Sequence, residues 1–239
     1  MITLKEYFEH LYKKSAKDYY NKLEKYLVSD EKKIIITANP ETFMYAKKDK
    51  LIKNALLDPE IDTIPDGISI VKAAKHYKIK VEERITGCDT MIKLLELANK
   101  HHKKIYLFGA KEEVLKKLVD KIKKEYSNIK IVGSSNGYVK DKDNVFKDII
   151  KKQPDLCFVA LGIPEQEKLI LKHSDRITKG LYMGVGGSFD VISGTKERAP
   201  KLFIKLNLEW LYRLIKEPKR IKRFYKNNIK FIIDVYKNR

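Results

Sequence analysis

The chain has 239 residues, with 51 Lys and Arg against 32 Asp and Glu, so its formal net charge is +19. This length suits one sizeable domain, or a domain with an appendage, and the 43% hydrophobic content excludes wholesale disorder. Two cysteines, Cys88 and Cys157, are too few for a disulfide framework or a four-cysteine zinc site. No apolar run is long enough to span a membrane and no signal peptide is recognisable, so a cytosolic protein is expected.

The positive charge is concentrated towards the C-terminus. Residues 196–239 hold 14 Lys and Arg and 4 Asp and Glu, a net charge of +10, and residues 1–195 carry the remaining +9. Such a basic segment suits nucleic acid, an anionic membrane surface or a solvated helix face. Charge alone does not choose among these three.

Short apolar strands alternate with helices along most of the chain. After a helix predicted over 3–28, strands are predicted over 33–37, 61–64, 104–108, 129–133, 156–161 and 181–185. Helices are predicted from Pro40 onward and over 68–77, 89–101, 111–126, 143–152 and 165–173. This alternation predicts an α/β core over 1–195, with a mostly parallel sheet covered by helices on both faces. A basic, amphipathic helical appendage is predicted over 196–239.

Polar residues and glycines collect where the predicted strands end. These ends read Thr37-Ala38-Asn39-Pro40, Pro65-Asp66-Gly67, Phe108-Gly109-Ala110, Leu161-Gly162-Ile163-Pro164 and Val185-Gly186-Gly187-Ser188. Ligands of parallel α/β sheets bind outside the carboxyl ends of the strands, where glycines allow close approach and helix N-termini offer N–H groups to phosphate. Each glycine alone is equally a turn residue, but together they predict a nucleotide site without naming a reaction.

Several well-known motifs are absent from the sequence. It contains no GxGxxG, no P-loop, no GxSxG and no HExxH. Asp141-Lys142-Asp143 matches the DxD pattern that holds a metal–diphosphate, but it precedes a predicted helix, where aspartate is favoured as a cap. We therefore expect no metal site there.

Taken together, the strand-end motifs resemble the WecG/TagA/CpsF family of glycosyltransferases. The resemblance runs from about residue 33 to the C-terminus and is carried by Thr37–Glu41, Pro65–Gly67, Glu83–Asp89, Ile105–Ala110, Gly137-Tyr138, Phe158–Lys168, Met183–Val191, Arg198–Pro200 and Leu208–Arg220. Residues 1–32 are atypical, because many family members begin with a strand and a Gly-Val hairpin. The edge of the sheet and any contacts between subunits are therefore open.

The resemblance implies an inverting transferase with a Rossmann-like fold. Its donor would be a UDP-sugar, typically carrying N-acetylmannosamine, with a UDP-uronic acid as the alternative. Its acceptor would be N-acetylglucosamine-diphospho-undecaprenol, in teichoic acid or surface polysaccharide synthesis. No resident metal or other cofactor is implied, and family members often form dimers or larger assemblies.

Two other functions are compatible with parts of the sequence. A nucleic-acid-binding protein suits the charge, but the sequence has no helix-turn-helix, zinc finger or RNA-binding aromatic motif. A nucleotide-sugar epimerase suits the sheet, but the absence of GxGxxG argues against bound NAD.

The resemblance also implies roles for individual residues. Asp66 would be the base that takes the proton from the acceptor hydroxyl, although Pro-Asp-Gly equally suits a turn. Thr37 and Asn39 would bind the sugars, with helix capping as the alternative for Asn39. Arg84 would bind a phosphate, with an ion pair to a neighbouring glutamate as its alternative.

Further residues would contact the nucleotide or its diphosphate. Gln166 would touch the diphosphate, or would be an ordinary residue of a first helical turn. Gly109, Gly186 and Gly187 would lie against the nucleotide, and Asp190 would hold a ribose or sugar hydroxyl, or complement the N-terminus of a helix.

The tail acquires a specific interpretation from the resemblance. Apolar residues recur at helical spacing at Leu202, Phe203, Leu206, Trp210, Leu211, Leu214 and Ile215 and, beyond Pro218, at Ile221, Phe224, Tyr225, Ile229, Phe231, Ile232 and Ile233. Arg213, Arg220 and Arg223 share one face and would reach a diphosphate. Such a segment suits peripheral binding to the inner face of the cytoplasmic membrane. The alternative is a helix pair that packs on the core or on another subunit.

Overall fold

The computed structural model describes residues 4–237, apart from the side chains of Arg220 and Arg223. Six strands form one parallel sheet in the order β2-β1-β6-β5-β3-β4. They are β1 (Lys32–Ala38), β2 (Ile61–Pro65), β3 (Lys104–Gly109), β4 (Lys130–Ser135), β5 (Leu156–Ala160) and β6 (Gly180–Gly184). The predicted α/β fold with a parallel sheet is confirmed, and all six carboxyl ends lie along one edge.

Helices connect the strands and continue beyond the sheet. Those of the core are α1 (Leu4–Glu9), α2 (Ala16–Val28), α3 (Pro40–Ala46), α4 (Lys50–Leu57), α5 (Ile68–His76), α6 (Gly87–Lys100), α7 (Glu112–Glu125), α8 (Lys142–Lys152), α9 (Glu165–Lys172) and α10 (Ser188–Ile192), with a 3₁₀ turn at Ser174–Arg176. The tail forms α11 (Lys201–Lys205), α12 (Glu209–Lys216), a 3₁₀ turn at Pro218–Arg220, α13 (Ile221–Phe224), a π-helical turn at Tyr225–Ile229 and α14 (Lys230–Lys237). None of the described helices is both long and apolar enough to cross a lipid bilayer.

The alternation of side chains along each strand builds a core on both faces of the sheet. In β1, Ile34 and Ile36 pack on the face that carries α1, α3, α4, α5, α8, α9 and α14. Ile35 packs on the opposite face, under α2, α6, α7 and α10. Continuous apolar strands are what a sheet buried on both faces requires.

The single helix predicted over 3–28 is wrong, because the chain is interrupted between α1 and α2. Leu11 forms an isolated parallel bridge with Thr63, and the Tyr12 N–H donates to the carbonyl of Thr63 at 2.8 Å. Ser15 then restarts the helix by accepting a hydrogen bond from the Asp18 N–H at 3.1 Å. The atypical N-terminal segment therefore covers the outer edge of β2, which limits pairing with other strands.

The end of the tail packs on the core. Phe231 and Val235 of α14 are buried, and the Phe231 ring lies 5.8 Å from that of Phe43 in α3. Lys47 and Asp234 form an ion pair at 2.7 Å on the same contact. Apolar side chains between α11 and the π-helical turn are instead exposed, namely Leu202, Leu206, Trp210, Ile215, Ile221 and Tyr225. The predicted appendage thus has an anchored end and an exposed middle.

Candidate active site

Asp66 lies at the centre of the strand-end residues from β1, β2 and α6. Pairing of Ala38 with Pro65 aligns the two strand ends, and the Asp66 N–H donates to the Ala38 carbonyl at 2.8 Å. Gly87 opens α6 beside them, because a Cβ there would stand 3.6 Å from Asp66 Oδ2 and 3.0 Å from Thr37 Cγ2. The topology therefore places Asp66 and Thr37 together, with the N-terminus of a 14-residue helix against them.

Burial and charge compete at the Asp66 carboxyl. Burial raises the pKa of Asp66 above its ordinary value, while the positive charges of Arg213 and Arg84 and the N–H of Gly87 lower it. The negative charge of Glu209 raises it further, and the net direction is upward. A carboxylate with a raised pKa is a stronger base, as proton removal from a hydroxyl requires.

Asn39 and Thr37 hold the strand end in place beside Asp66. Asn39 caps α3, since its Oδ1 accepts from the N–H groups of Glu41 and Thr42 at 2.9 and 3.1 Å. Thr37 is buried, and its carbonyl accepts a hydrogen bond from the Thr42 hydroxyl at 3.2 Å. The capping alternative for Asn39 is thus realised at its carboxamide oxygen, which is turned towards the helix.

Arg84 pairs with the tail rather than with a neighbouring glutamate. Its Nη2 lies 3.0 Å from Glu209 Oε2, and both side chains are largely buried. Glu209 also lies 3.7 Å from Arg213 Nη2 and 3.9 Å from Arg198 Nε, measured at its Oε1. Arg84 and Arg213 are therefore brought together beside Asp66, whereas the side chains of Arg220 and Arg223 lie outside the described part of the structure.

A cavity of about 420 Å³ opens along the same edge of the sheet, at the carboxyl ends of β3, β5 and β6, of which β6 lies next to β1. Its walls include Gly186, Gly187 and Asp190, together with Ala110, Lys111, Glu113, Val114, Tyr138, Ala160, Leu161, Gly162, Thr195 and Lys196. Asp190 stands in the first turn of α10 and lies 3.6 Å from Lys196 Nζ. The predicted Gly186, Gly187 and Asp190 thus share one cavity, whose volume suits a small ligand.

Gln166 lies behind the cavity instead of in its wall. The side chain is 1% exposed, and its Oε1 accepts from the N–H groups of Gly162 and Gly186 at 3.1 and 3.0 Å. Its Nε2 donates to Glu167 Oε1 at 2.7 Å, and burial raises the pKa of Glu167 to about 7. Both ends of the carboxamide make hydrogen bonds and the side chain is buried, so Gln166 fixes two turns of the cavity wall instead of facing the cavity. The Gly186 N–H is likewise already donated.

Gly109 serves the packing of two strands. Its φ is +131°, and a Cβ there would collide with the backbone of Ala160 in β5. The neighbouring Ala110 and Lys111 form the cavity wall in its place. Gly109 therefore lets β3 approach β5, and the predicted contact with nucleotide falls on the two residues after it.

The paired carboxylates of the DxD pattern have structural partners. Asp141 caps α8 by accepting from the Asn144 N–H at 2.9 Å, and Asp143 lies 2.7 Å from both His173 Nε2 and Lys172 Nζ. Among residues 4–237, no group of three or more His, Cys, Asp or Glu is placed to hold a metal ion.

The structure adds functional candidates that the sequence did not single out. Glu209 and Arg198 join the cluster at Asp66, and Lys196 and Tyr138 line the cavity, with Tyr138 75% exposed. Lys196 also pairs with Glu217 at 3.0 Å. Tyr138, Arg198 and Glu209 lie in motifs that carry the family resemblance, and the four-residue spacing of Glu209 and Arg213 places them on one side of a helix.

Comparison with known proteins bears on this site. The sequence profile of the glycosyl transferase WecG/TagA/CpsF family matches residues 9–239, almost the whole chain. This chain belongs to the WecG/TagA/CpsF family. The predicted resemblance is confirmed, and the match also covers residues 9–32, most of the N-terminal segment predicted to be atypical.

Three relatives within the WecG/TagA/CpsF family carry the same name, N-acetylglucosaminyldiphosphoundecaprenol N-acetyl-beta-D-mannosaminyltransferase. The protein of Bacillus subtilis (strain 168) is 46% identical over 203 residues, which are 84% of this chain and 78% of that protein. The protein of Bacillus spizizenii is 37% identical over 83% of this chain and 77% of its own length. The protein of Staphylococcus aureus (strain MW2) is 37% identical over 79% and 74%.

A substitution at Gly187 tests whether the cavity lined by Gly186, Gly187 and Asp190 binds the nucleotide, and it should leave the fold intact. Its φ of −74° suits alanine, and an added Cβ would meet no atom within 4 Å. The Gly187→Ala variant should keep its free energy of unfolding within about 1 kcal/mol of the wild type. A methyl group that obstructs a ligand costs about 1–3 kcal/mol, so the KM for a UDP-sugar should rise at least about fivefold. Calorimetry and steady-state kinetics measure the two effects, and an unchanged KM would place the nucleotide elsewhere.

Proposed function

We propose that this chain transfers N-acetylmannosamine from its UDP derivative to N-acetylglucosamine-diphospho-undecaprenol, with inversion at the anomeric carbon. The observation that carries the proposal is one juxtaposition, in which a half-buried carboxylate with a raised pKa stands beside two arginines, at the edge of the sheet that also holds a cavity of about 420 Å³. Membership of the family and the names of three relatives supply the sugar and the acceptor.

Each side chain of the site has its own role in such a transfer. Asp66 takes the proton from the acceptor hydroxyl as that oxygen attacks the anomeric carbon. Arg84 and Arg213 supply positive charge where the departing diphosphate becomes more negative, and no metal is needed for this step in the proposal. The Thr37 side chain and the Nδ2 amide of Asn39 orient the sugars, while Arg220 and Arg223 remain predicted diphosphate ligands.

The cavity receives the nucleotide half of the donor. The exposed Tyr138 ring offers a stacking surface for the base, and Asp190 accepts hydrogen bonds from ribose hydroxyls. Lys111 and Lys196 add positive charge to the same walls. Because β6 lies next to β1 in the sheet, the diphosphate and sugar would extend from this cavity towards Asp66.

A screen of UDP-sugars tests the proposal directly. The full chain would be incubated with a short-chain lipid diphosphate bearing N-acetylglucosamine, and released UDP and glycosylated lipid would both be quantified. UDP-N-acetylmannosamine should give the highest turnover, and product should require the acceptor. Turnover with a UDP-uronic acid but not with UDP-N-acetylmannosamine would reassign the donor. No product from any pair would refute the proposed activity.

We also propose that the middle of the tail binds the membrane that carries the acceptor. Six apolar side chains are exposed there, including Ile215 at 62%, on a segment whose net charge is +10 between residues 196 and 239. Exposed apolar groups among lysines and arginines favour the interface of an anionic bilayer, with about 1 kcal/mol from each cation near the surface. This arrangement supports a peripheral protein on the inner face of the cytoplasmic membrane.

Removing these apolar side chains should release the protein from vesicles. The variant Leu202→Ser/Leu206→Ser/Ile215→Ser should sediment with anionic vesicles at least about tenfold less than the wild type, since burying each side chain is worth about 1.5–3 kcal/mol. Val28→Ser is the matched control, because Val28 is 56% exposed but lies outside the tail. Point variants are preferable to truncation, because deleting the tail would remove the buried Phe231 and Val235. Equal sedimentation of the triple variant and the wild type would contradict the membrane proposal.

A further inference from the structure

Glu209 is a buried carboxylate on which three arginines from separate parts of the chain converge. It opens α12 and is 7% exposed. Arg84 comes from the loop before α6, Arg198 from the loop before α11, and Arg213 from the next turn of α12, at the distances given above. Burying a carboxylate is costly unless cations compensate it, so the position of Glu209 and those of the three guanidinium groups depend on one another.

The cluster carries more donors than its carboxylates use. Arg84 contacts Glu209 through Nη2, and Arg198 contacts Asp89 Oδ1 through Nη2 at 2.6 Å. Each guanidinium has five N–H donors in a fixed planar fork, which matches the oxygens of phosphate groups. The three arginines are matched in charge by the carboxylates of Glu209, Asp89 and Asp66, so the cluster offers an anion unused N–H donors and not a surplus of charge. Glu209 therefore fixes the arginines while leaving N–H donors for an anion.

The cluster stands against Asp66. The groups that act on the Asp66 carboxyl are Arg84 from the loop before α6, the N–H of Gly87 in α6, and Glu209 and Arg213 of α12. Glu209 thus ties the tail to the part of the core where the acceptor hydroxyl would be deprotonated. Glu209 has no place among the residues that contact substrate in the proposed function.

We propose that Glu209 is a positioning residue of the transfer reaction, which holds Arg84, Arg198 and Arg213 in one cluster beside Asp66 for a substrate diphosphate. This inference rests on the proposed function. Both substrates contain a diphosphate, and the kinetics of each substrate identify which one the cluster receives. If Glu209→Gln raises the KM for the UDP-sugar alone, the cluster binds the donor. If it raises the KM for the lipid acceptor alone, the cluster binds the acceptor.

The test compares Glu209→Gln and Glu209→Asp in the full chain. Glutamine keeps the size of the side chain but cannot neutralise three cations, so kcat should fall at least tenfold. Aspartate keeps the charge on a shorter stem, so kcat should be intermediate. Glu197→Gln is the matched control, because Glu197 lies in the same tail and is exposed, with Lys216 as its ion-pair partner at 3.6 Å. It should keep the kcat of the wild type.

The pH dependence of kcat separates positioning from general support of the fold. The negative charge of Glu209 disfavours the anionic form of Asp66, so its removal should move the acid limb of the profile to lower pH. The acid limb should move to lower pH in Glu209→Gln and should remain at its wild-type position in Glu209→Asp. Binding of inorganic pyrophosphate, measured by calorimetry, should weaken in Glu209→Gln, because the arginines are no longer held in one cluster, and should be unchanged in Glu197→Gln. Equal or tighter binding in Glu209→Gln would contradict the positioning role.

The outcomes distinguish this inference from the proposed function. If the wild type is active and the kcat of Glu209→Gln is equal or higher, the positioning role alone is overturned. A wild type that transfers no sugar would overturn the proposed function and this inference with it. If Glu209→Gln fails to fold, Glu209→Asp decides, and a kcat equal to that of the wild type would overturn the role.

Discussion

Replacing Asp66 with asparagine should lower kcat by about 10²–10⁴-fold, the range that a general base contributes. Asparagine has nearly the same shape and keeps the turn after β2, but it cannot accept the proton of the acceptor hydroxyl. The backbone hydrogen bond from Asp66 to Ala38 does not involve the side chain, so the strand end should stay in place. Steady-state kinetics with both substrates would measure the loss, and the affinity for UDP should change little, because the nucleotide cavity lies at other strands.

The pH profile of the wild type supplies an independent readout of the same residue. Burial raises the pKa of Asp66, so the carboxylate becomes protonated at a higher pH than an exposed aspartate would. Since the base works only when deprotonated, kcat should fall as pH drops through that raised pKa, and Asp66→Asn should lose this limb. Asp175→Asn, on an exposed aspartate before β6, is the control. Near-normal turnover in a folded Asp66→Asn variant would remove Asp66 from the role of base.

Replacing Arg84 with alanine should lower kcat/KM by about 10²–10³-fold, which is the effect of removing one donor that stabilises developing charge. The largely buried guanidinium stands 3.0 Å from Glu209 and its charge lowers the pKa of Asp66, so it lies where the proposed function brings the diphosphate to the base. Arg84→Lys keeps one positive charge but loses the planar fork, and should recover only part of the activity. Kinetics of the three proteins would rank wild type above lysine and lysine above alanine.

The control for Arg84 is an arginine at the opposite edge of the sheet. Arg176 ends the 3₁₀ turn before β6 and is exposed, so Arg176→Ala should retain wild-type kinetics. Thermal unfolding must accompany the measurement, since Arg84→Ala leaves Glu209 with two cations instead of three. Full activity in a stable Arg84→Ala variant would show that phosphate is bound by other groups.

The strand alternation was accessible from sequence because each strand is short, apolar and followed by a polar turn. Residues 33–37 and 156–161, for example, correspond to β1 and β5 within two residues. Parallel pairing then puts all the carboxyl ends on one edge, so the neighbourhood of Thr37 and Asp66 followed from topology. The family resemblance added what topology could not, namely the expectation that Asp66 is the base.

Other features depended on contacts between distant segments, which no local pattern encodes. The sequence assigned no role to Glu209, whose ion pair joins it to Arg84, 125 positions away in the sequence. The resemblance implies a diphosphate contact for Gln166, yet the turns at Gly162 and Gly186 donate hydrogen bonds to its carboxamide oxygen. The helical periodicity of residues 3–28 hid the break at Leu11, because pairing with Thr63 overrides local propensity.

The anomeric configuration of the transferred sugar is the most direct measure of a single displacement assisted by Asp66. Product made from UDP-N-acetylmannosamine, in which the sugar is α-linked, would be examined through the one-bond carbon–proton coupling at its anomeric carbon. A hydroxyl deprotonated by Asp66 attacks from the face opposite the diphosphate, so the product should be β-linked. An α-linked product would require two displacements or attack from the same face, and would contradict the assignment of Asp66 as the general base.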